Sequence, residues 1–346
     1  MQPGATATLA FALAVVLVIV LTPLAAKAAV RTRFLDHPVG YKQHGRATPY
    51  LGGCAVMLAF LVPALLLGGL GDRFLALGLG AVALWIVGTL DDKFNLSPYL
   101  RMAVEALAAT GLWVADLGWT VFDTELLNLA LTIVWVVGVV NAFNLMDNLD
   151  GAAATVTAAV AIGIGAFALA HEDAQLAGIA AALAGACIGF LRYNLARPAR
   201  IFLGDGGSMP VGFIAAGAAI AAARAGDLDL GLAALPCAAM IVGLVILDTT
   251  LVVISRRRRG VPLLTGGRDH LTHRLLMMTG SPQAVAAMLA ALQLALGAVA
   301  LTAAENGRDA VLWSAACTLV IGIAVIAVLE SRFGVRREPA PAGHRE

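Results

Sequence analysis

Charge is scarce in this chain. Only 13% of its 346 residues are Asp, Glu, Lys or Arg and 6% are aromatic, whereas 60% are hydrophobic. A soluble protein of this length needs a charged surface that this one lacks, so water is excluded as its principal solvent. Cysteine is nearly absent: Cys54, Cys187, Cys237 and Cys317 each fall in an apolar run. No two of them share a short spacing, which excludes a disulfide framework or a zinc knuckle and leaves packing as their role. No basic residue precedes the first apolar run. Although Leu24-Ala25-Ala26 offers small residues for cleavage, that run is therefore expected to be a retained helix and not a signal peptide. A formal net charge of +1 offers nothing to recruit nucleic acid, and no block reads as an appended soluble domain or an internal repeat.

What the sequence has in abundance is hydrophobic length. Charge-poor stretches, each able to cross a hydrocarbon core of roughly 30 Å as a helix, lie near residues 6–26, 50–70, 74–90, 98–117, 127–146, 152–170, 176–193, 208–224, 231–254, 282–303 and 310–330. They predict an all-α polytopic membrane protein of about eleven transmembrane helices, with residues 1–335 as one domain and 336–346 as a disordered cytoplasmic tail. Orientation follows from the basic residues, which are retained on the cytoplasmic side. With the N-terminus extracytoplasmic and the C-terminus cytoplasmic, only Arg73, Arg224 and Arg308 of the 23 Lys and Arg residues fall outside.

On that topology the extracytoplasmic connections are short and chemically plain, and the cytoplasmic ones carry Asp, Asn, His, Gly and Arg. Asp91 and Asp92 stand side by side at the end of the third span. Ionised carboxylates at such a depth are costly, so the pair suggests a cation or a proton-transfer role, with solvated interfacial acids beside Lys93 as the plainer alternative. Asn141, Asn144 and Asp147 recur every third residue as the fifth span ends, which places them on one helix face. Asp150 can cap the following helix, but capping does not account for the polar ridge before it. Gly204-Asp205-Gly206-Gly207 opens the eighth span. Free amides at a helix start attract anions, whereas Asp205 repels them, and a hard divalent cation such as Mg²⁺ resolves the conflict. After Arg256-Arg257-Arg258-Arg259, read as a topology anchor touching anionic headgroups, come Arg268, His270, His273 and Arg274, a donor-rich cluster suited to diphosphate oxygens. Two histidines three apart invite zinc, but no Cys lies near and the acids suit Mg²⁺ better. Glu105 and Asp248 lie within spans and are expected to be structural partners of a nearby Arg or Asn.

Taken in order, these segments resemble the polyprenyl-phosphate N-acetylhexosamine-1-phosphate transferase family. Asp36-His37-Pro38, Lys42-Gln43-His44 and Thr48 to Gly53 are similar to its first cytoplasmic loop, Asp91 to Phe94 to its paired-aspartate motif, and Asn141 to Gly151, Phe202 to Ser208 and Arg268 to Arg274 to its later motifs. Asn148 stands where a glycine is common, and Thr272 interrupts a cluster that often carries a third histidine. The likeness is nearer to the branch that transfers GlcNAc-1-phosphate than to the phospho-MurNAc-pentapeptide translocases. It implies attack by undecaprenyl or decaprenyl phosphate on the β-phosphorus of a UDP-sugar such as UDP-GlcNAc, release of UMP, and the first membrane step of cell-envelope glycan synthesis, at the cytoplasmic face of the inner membrane.

By the same resemblance Asp205 and Asn144 hold Mg²⁺, for which Mn²⁺ can substitute. Asp91 and Asp92 orient or deprotonate the lipid phosphate, Asp150 contacts the nucleotide and Asp147 supports the site. Lys42, His44, Asn141, Gly204, Arg268, His270, His273 and Arg274 bind the donor, and a homodimer is an open possibility. Spacing does not distinguish direct attack from a covalent aspartyl intermediate. Direct attack is favoured, because a lipid phosphate is already largely ionised at neutral pH. Two other readings remain to be tested. A secondary transporter would place its coupling residues near the midplane on repeated, broken helices, and a non-catalytic scaffold would keep the motifs without turnover.

Overall fold

The computed structural model describes residues 2–36, 47–67, 74–225, 228–263 and 267–333. Among the described residues the only strands are a two-residue antiparallel pair, β1 (Leu35–Asp36) with β2 (Thr48–Pro49). All other regular structure in the described residues is helical: α1 (Pro3–Arg31), α2 (Gly52–Leu66), α3 (Leu75–Phe94), α4 (Pro98–Val114), α5 (Glu125–Met146), α6 (Ala152–Ala170), α7 (Ala174–Asn194), α8 (Asp205–Ala223), a single 3₁₀ turn at Gly231–Ala233, α9 (Ala234–Ile241), α10 (Gly243–Arg259), α11 (Leu271–Thr279), α12 (Pro282–Glu305) and α13 (Arg308–Phe333). Helices prevail because in hydrocarbon each peptide group must find its partner within its own segment. The tail expected at 336–346 lies outside the described residues, as do Lys42 and His44.

The chain is an all-α polytopic membrane protein. Among the described residues eight helices are long and apolar enough to cross a membrane, and α9 with α10 makes a ninth if that bent pair is one span. The two remaining expected spans are met by shorter helices, the 15-residue α2 and the 17-residue α4. At 1.5 Å per residue each falls short of the hydrocarbon thickness.

At the centre stands α8, buried at every position from Gly206 to Ala223. Its sequence explains the placement, because more than half of its 19 residues are Gly or Ala, and small side chains let neighbouring helices come close. α3 and α5 lie against it most extensively, with α2, α6 and α9 completing the surround. A β-carbon on Gly88 of α3 would lie 2.2 Å from the Asp205 carbonyl oxygen, so α3 touches the very start of α8. At the periphery α13 exposes Trp313, Leu319, Val320 and Ile321, as a lipid-facing helix should.

α9 and α10 meet at 78°. A bend of that size breaks the helical ladder, and the side chain of Gln293 in α12 replaces what is lost. Its Nε2 donates to the Ile241 carbonyl at 2.7 Å and its Oε1 accepts from Leu244 N–H at 3.0 Å. Gln293 is fully buried, so no water can stand in for it. Gln293→Leu is expected to destabilise the protein by about 2 to 4 kcal/mol, the cost of two orphaned buried backbone groups. Thermal unfolding in a fixed detergent reads this as a lowered midpoint, and an unchanged midpoint would show that the bend has another support.

Candidate active site

A cavity of about 1370 Å³ opens where the ends of several helices meet. Asn144, Asp147 and Asp150 reach it from the end of α5 and the turn after it, Gly204 and Asp205 from the start of α8, Arg268 and His270 from the segment leading into α11, and His273 from the first turn of α11. These residues, far apart in the chain, share one wall-lined space. Asp36, Thr48, Tyr50, Arg197, Arg200 and Phe202 also face it and were not singled out as site residues from the sequence.

The start of α8 is tied into the site by hydrogen bonds to carboxylates from the ends of two other helices. Gly204 has φ of 71°, a conformation that a side chain would strain, and a β-carbon there would lie 2.6 Å from Asp92 Oδ2. Its absence lets Asp92 reach past. Asp92 accepts the N–H groups of Asp205 at 2.9 Å and Gly206 at 3.0 Å, and Asp147 accepts that of Gly204 at 3.1 Å. The amides that the sequence offered as an anion cradle are therefore already taken, by carboxylates of the protein itself.

Asp205 points the other way along the wall. Its Oδ1 accepts from Asn144 Nδ2 at 2.8 Å, and Asn144 also donates to Ser208 Oγ at 3.0 Å. Both contacts use the amide nitrogen of Asn144, and its side chain lines the cavity. Asp205 Oδ2 lies 2.9 Å from Arg101 Nη1, which is also 2.6 Å from Asp91 Oδ2. One guanidinium thus bridges two carboxylates contributed by α3 and α8. Asp91 Oδ1 accepts Leu96 N–H at 2.6 Å as the chain turns through left-handed Asn95 into α4. Arg101 was missed in the sequence. Its signal was a single cation in the first turns of α4, ten residues after Asp91.

Asp91 and Asp92 do not line the cavity but stand behind its wall. Asn141 lies deeper, with Nδ2 donating to Glu105 Oε2 at 2.6 Å, as the expectation of an Asn partner for Glu105 requires. Asp248 pairs with neither Arg nor Asn but with His270, at 2.8 Å. Arg274 is placed apart from the cavity. It is 3% exposed and forms a buried ion pair with Glu330 of α13 at 2.6 Å, so its charge is used for packing and not offered to a ligand. Three of the four arginines read as a headgroup anchor also pair with acids, Arg258 lying 3.8 Å from Glu330. Arg256 grips Asp269 with Nε and Nη2 at 2.8 and 3.0 Å, and Arg259 joins at 2.6 Å. Burial pushes the Asp269 carboxyl up, but the hydrogen bond and charge of Arg256 outweigh it and hold the group below the usual carboxylate range. The clamp holds Asp269, the residue between Arg268 and His270.

His273 sits 6.4 Å from His270, ring centre to ring centre. Burial, then the charges of His270 and Arg268, lower its pKa to about 4. The two departures from the family pattern touch each other: Thr272 donates to the amide oxygen of Asn148, joining the turn after α5 to the start of α11. No group of three His, Cys, Asp or Glu side chains suited to hold a metal occurs among the described residues.

Comparison with known proteins places this geometry in context. The family described as glycosyl transferase family 4 matches residues 74–223, from the start of α3 to the end of α8. A decaprenyl-phosphate N-acetylglucosaminephosphotransferase of Mycobacterium tuberculosis is 32% identical over 84% of this chain and 80% of its own length. The enzyme of the same name from Mycolicibacterium smegmatis is 29% identical over 90% and 86%. An undecaprenyl-phosphate alpha-N-acetylglucosaminyl 1-phosphate transferase of Thermotoga maritima is 33% identical over 56% and 58%.

Removing Arg101 leaves Asp91 and Asp205 facing each other uncompensated. Because its side chain is 22% exposed, Arg101→Gln is expected to cost only about 1 to 3 kcal/mol of stability, with Arg101→Lys recovering part of it. Thermal unfolding of the two variants checks this, and equal midpoints for Arg101→Gln and wild type would refute it. His273 stays neutral over roughly pH 6 to 9, so His273→Gln should lower turnover without moving either limb of the pH–rate profile in that range. Loss of a limb would show that His273 titrates there.

Proposed function

The chain belongs to the polyprenyl-phosphate N-acetylhexosamine-1-phosphate transferase family, and we propose that it transfers an N-acetylhexosamine 1-phosphate from a UDP-sugar to a polyprenyl phosphate, releasing UMP. The observation that carries this reading is the convergence on one cavity of Asn144, Asp147, Asp150, Asp205, Arg268, His270 and His273, drawn from three separate connections. Attack by an oxygen of the lipid phosphate on the β-phosphorus forms one P–O bond and breaks another, and UMP departs with the bridging oxygen. Two anions must be brought together, so catalysis rests on positioning and on neutralising charge.

Arg268 and His270 would take the diphosphate oxygens of the donor, Asp150 the nucleotide, and neutral His273 would contribute a hydrogen bond. Asp205 and Asn144 fit a hard cation by donor type, a carboxylate and an amide that both line the cavity, with Asp205 shared between the cation and Arg101. A complete cage of protein ligands is not needed, because Mg²⁺ is commonly held by one or two carboxylates together with substrate phosphates. Mg²⁺, or Mn²⁺ in its place, would be held by Asp205 and Asn144 and would supply charge neutralisation to the two phosphates. Asp91 and Asp92 would serve through the wall they hold, Asp92 by fixing the start of α8 and Asp91 by fixing Arg101. With both oxygens of Asp92 engaged by amides, direct attack by the lipid is favoured over an aspartyl intermediate on that residue.

The site is assigned to the cytoplasmic face of the inner membrane. If α9 with α10 forms one span and α2 and α4 each complete a crossing, eleven crossings bring the ends of α3, α5 and α7 and the starts of α4, α6 and α8 to the side that carries Arg256 to Arg259. That is the side on which basic residues are retained. A transporter is not supported, since the relatives are named as transferases and the acids collect at one set of helix ends.

Purified protein given Mg²⁺, polyprenyl phosphate and UDP-GlcNAc should yield a lipid diphosphate sugar, identified by mass, and an equal amount of UMP. Chelation should abolish both, and Asp205→Asn should lower turnover by roughly 100-fold or more. Absence of UMP release from any of a panel of UDP-sugars would sink the reading.

A further inference from the structure

Asp248 lies in the second turn of α10 and has no exposed surface. A carboxylate at that depth is tolerated only if both oxygens are occupied. One accepts the backbone N–H of Leu271 at 2.6 Å, and the other lies 2.8 Å from Nδ1 of His270. Among the described residues, His270 is the only basic side chain that forms an ion pair with Asp248.

His270 is 4% exposed, sits at the start of α11 and lines the cavity. Because a carboxylate only accepts, the hydrogen in the Asp248 contact belongs to Nδ1. Nε2 is then the nitrogen left for the cavity, beside Arg268. In a neutral ring of this tautomer Nε2 bears a lone pair, which phosphate oxygens repel. In a protonated ring the same atom donates, and the carboxylate behind Nδ1 is the counter-ion that makes a positive ring tolerable in a buried place. The clamp of Arg256 and Arg259 holds Asp269, one residue away.

We propose that Asp248 is a positioning residue for the transfer reaction: it commits Nδ1 of His270 and supplies the counter-ion, so that the ring meets the donor's diphosphate as a cation whose Nε2 donates. This rests on the assignment of the cavity to a UDP-sugar. Asp248 touches no substrate itself, and its effect passes entirely through His270.

Asp248→Asn separates this role from a packing role. Its amide oxygen keeps the Leu271 contact, but its N–H turns toward Nδ1, so the ring hydrogen moves to Nε2 and the counter-ion is lost. In ¹⁵N spectra of the full chain labelled at histidine and held in nanodiscs, the His270 signals are identified by their loss in His270→Gln. Wild type should show Nδ1 protonated, and Asp248→Asn should show it bare. A bare Nδ1 in wild type overturns the proposal, and this readout needs no turnover. In the transfer assay with UDP-GlcNAc, Asp248→Asn should lower kcat/KM by about 10- to 100-fold, yet add less than about threefold to the loss already caused by His270→Gln. Losses of equal size with and without His270 would mean that Asp248 acts independently of the ring, and would overturn the proposal. If wild type releases no UMP from any UDP-sugar, the reading of the cavity fails, while the spectra still decide whether Asp248 commits the ring.

Discussion

Three backbone N–H groups at the start of α8, those of Gly204, Asp205 and Gly206, are held by the carboxylates of Asp147 and Asp92, which come from the ends of two other helices. A helix start normally leaves such groups to water or to a capping side chain of its own, and here neither serves. The contact joins α3, α5 and α8 at one point and fixes where the Asp205 side chain can go. Because the amides absorb the charge of Asp92 and Asp147, Asp205 is left to face the cavity with Asn144 and Arg101 as its partners. The electrostatic character of the site follows from this one junction. Acids that would repel one another are kept close because each is answered by amides, an asparagine or a guanidinium.

A second set of charges does the same for the opposite wall. The Arg256–Asp269–Arg259 clamp and the Arg274–Glu330 pair tie α10, the segment before α11, and α13 together in a region where water is scarce. Their cost in desolvation is offset by close, multiple contacts, the bidentate grip of Arg256 above all. What they produce is placement: Asp269, which lies between Arg268 and His270 in the chain, is held by two guanidinium groups. The two walls touch directly where Thr272 donates to Asn148, so a shift in one is felt in the other.

Much of this was legible in the sequence. The hydrophobic runs give the helices and their order, since in lipid a long apolar segment has few alternatives. Periodic Asn144 and Asp147, and the Gly-Asp-Gly start of α8, mark the site because polar groups at such depth need a reason. Spacing could not reveal which charge answers which. Asp248 and His270 are 22 residues apart and Asp92 and Asp205 are 113 apart, and nothing local in either segment names its partner. Arg274 shows the reverse failure, for a cation beside two cavity-lining residues reads as a ligand group until Glu330 is seen against it. Arg101 is invisible for a related reason, being one basic residue in an amphipathic helix whose meaning comes only from two carboxylates on other elements.

The account stands or falls on the cavity wall formed by Asp205 and Asn144 being a site for a hard cation that bridges to a donor's diphosphate. Electron paramagnetic resonance of Mn²⁺ bound to the purified protein with UDP-GlcNAc present addresses that claim most directly. The account predicts one bound Mn²⁺ whose signal carries ³¹P hyperfine coupling from the diphosphate, with both binding and coupling lost in Asp205→Asn. Bound Mn²⁺ without phosphorus coupling, or binding indifferent to Asp205→Asn, would contradict it.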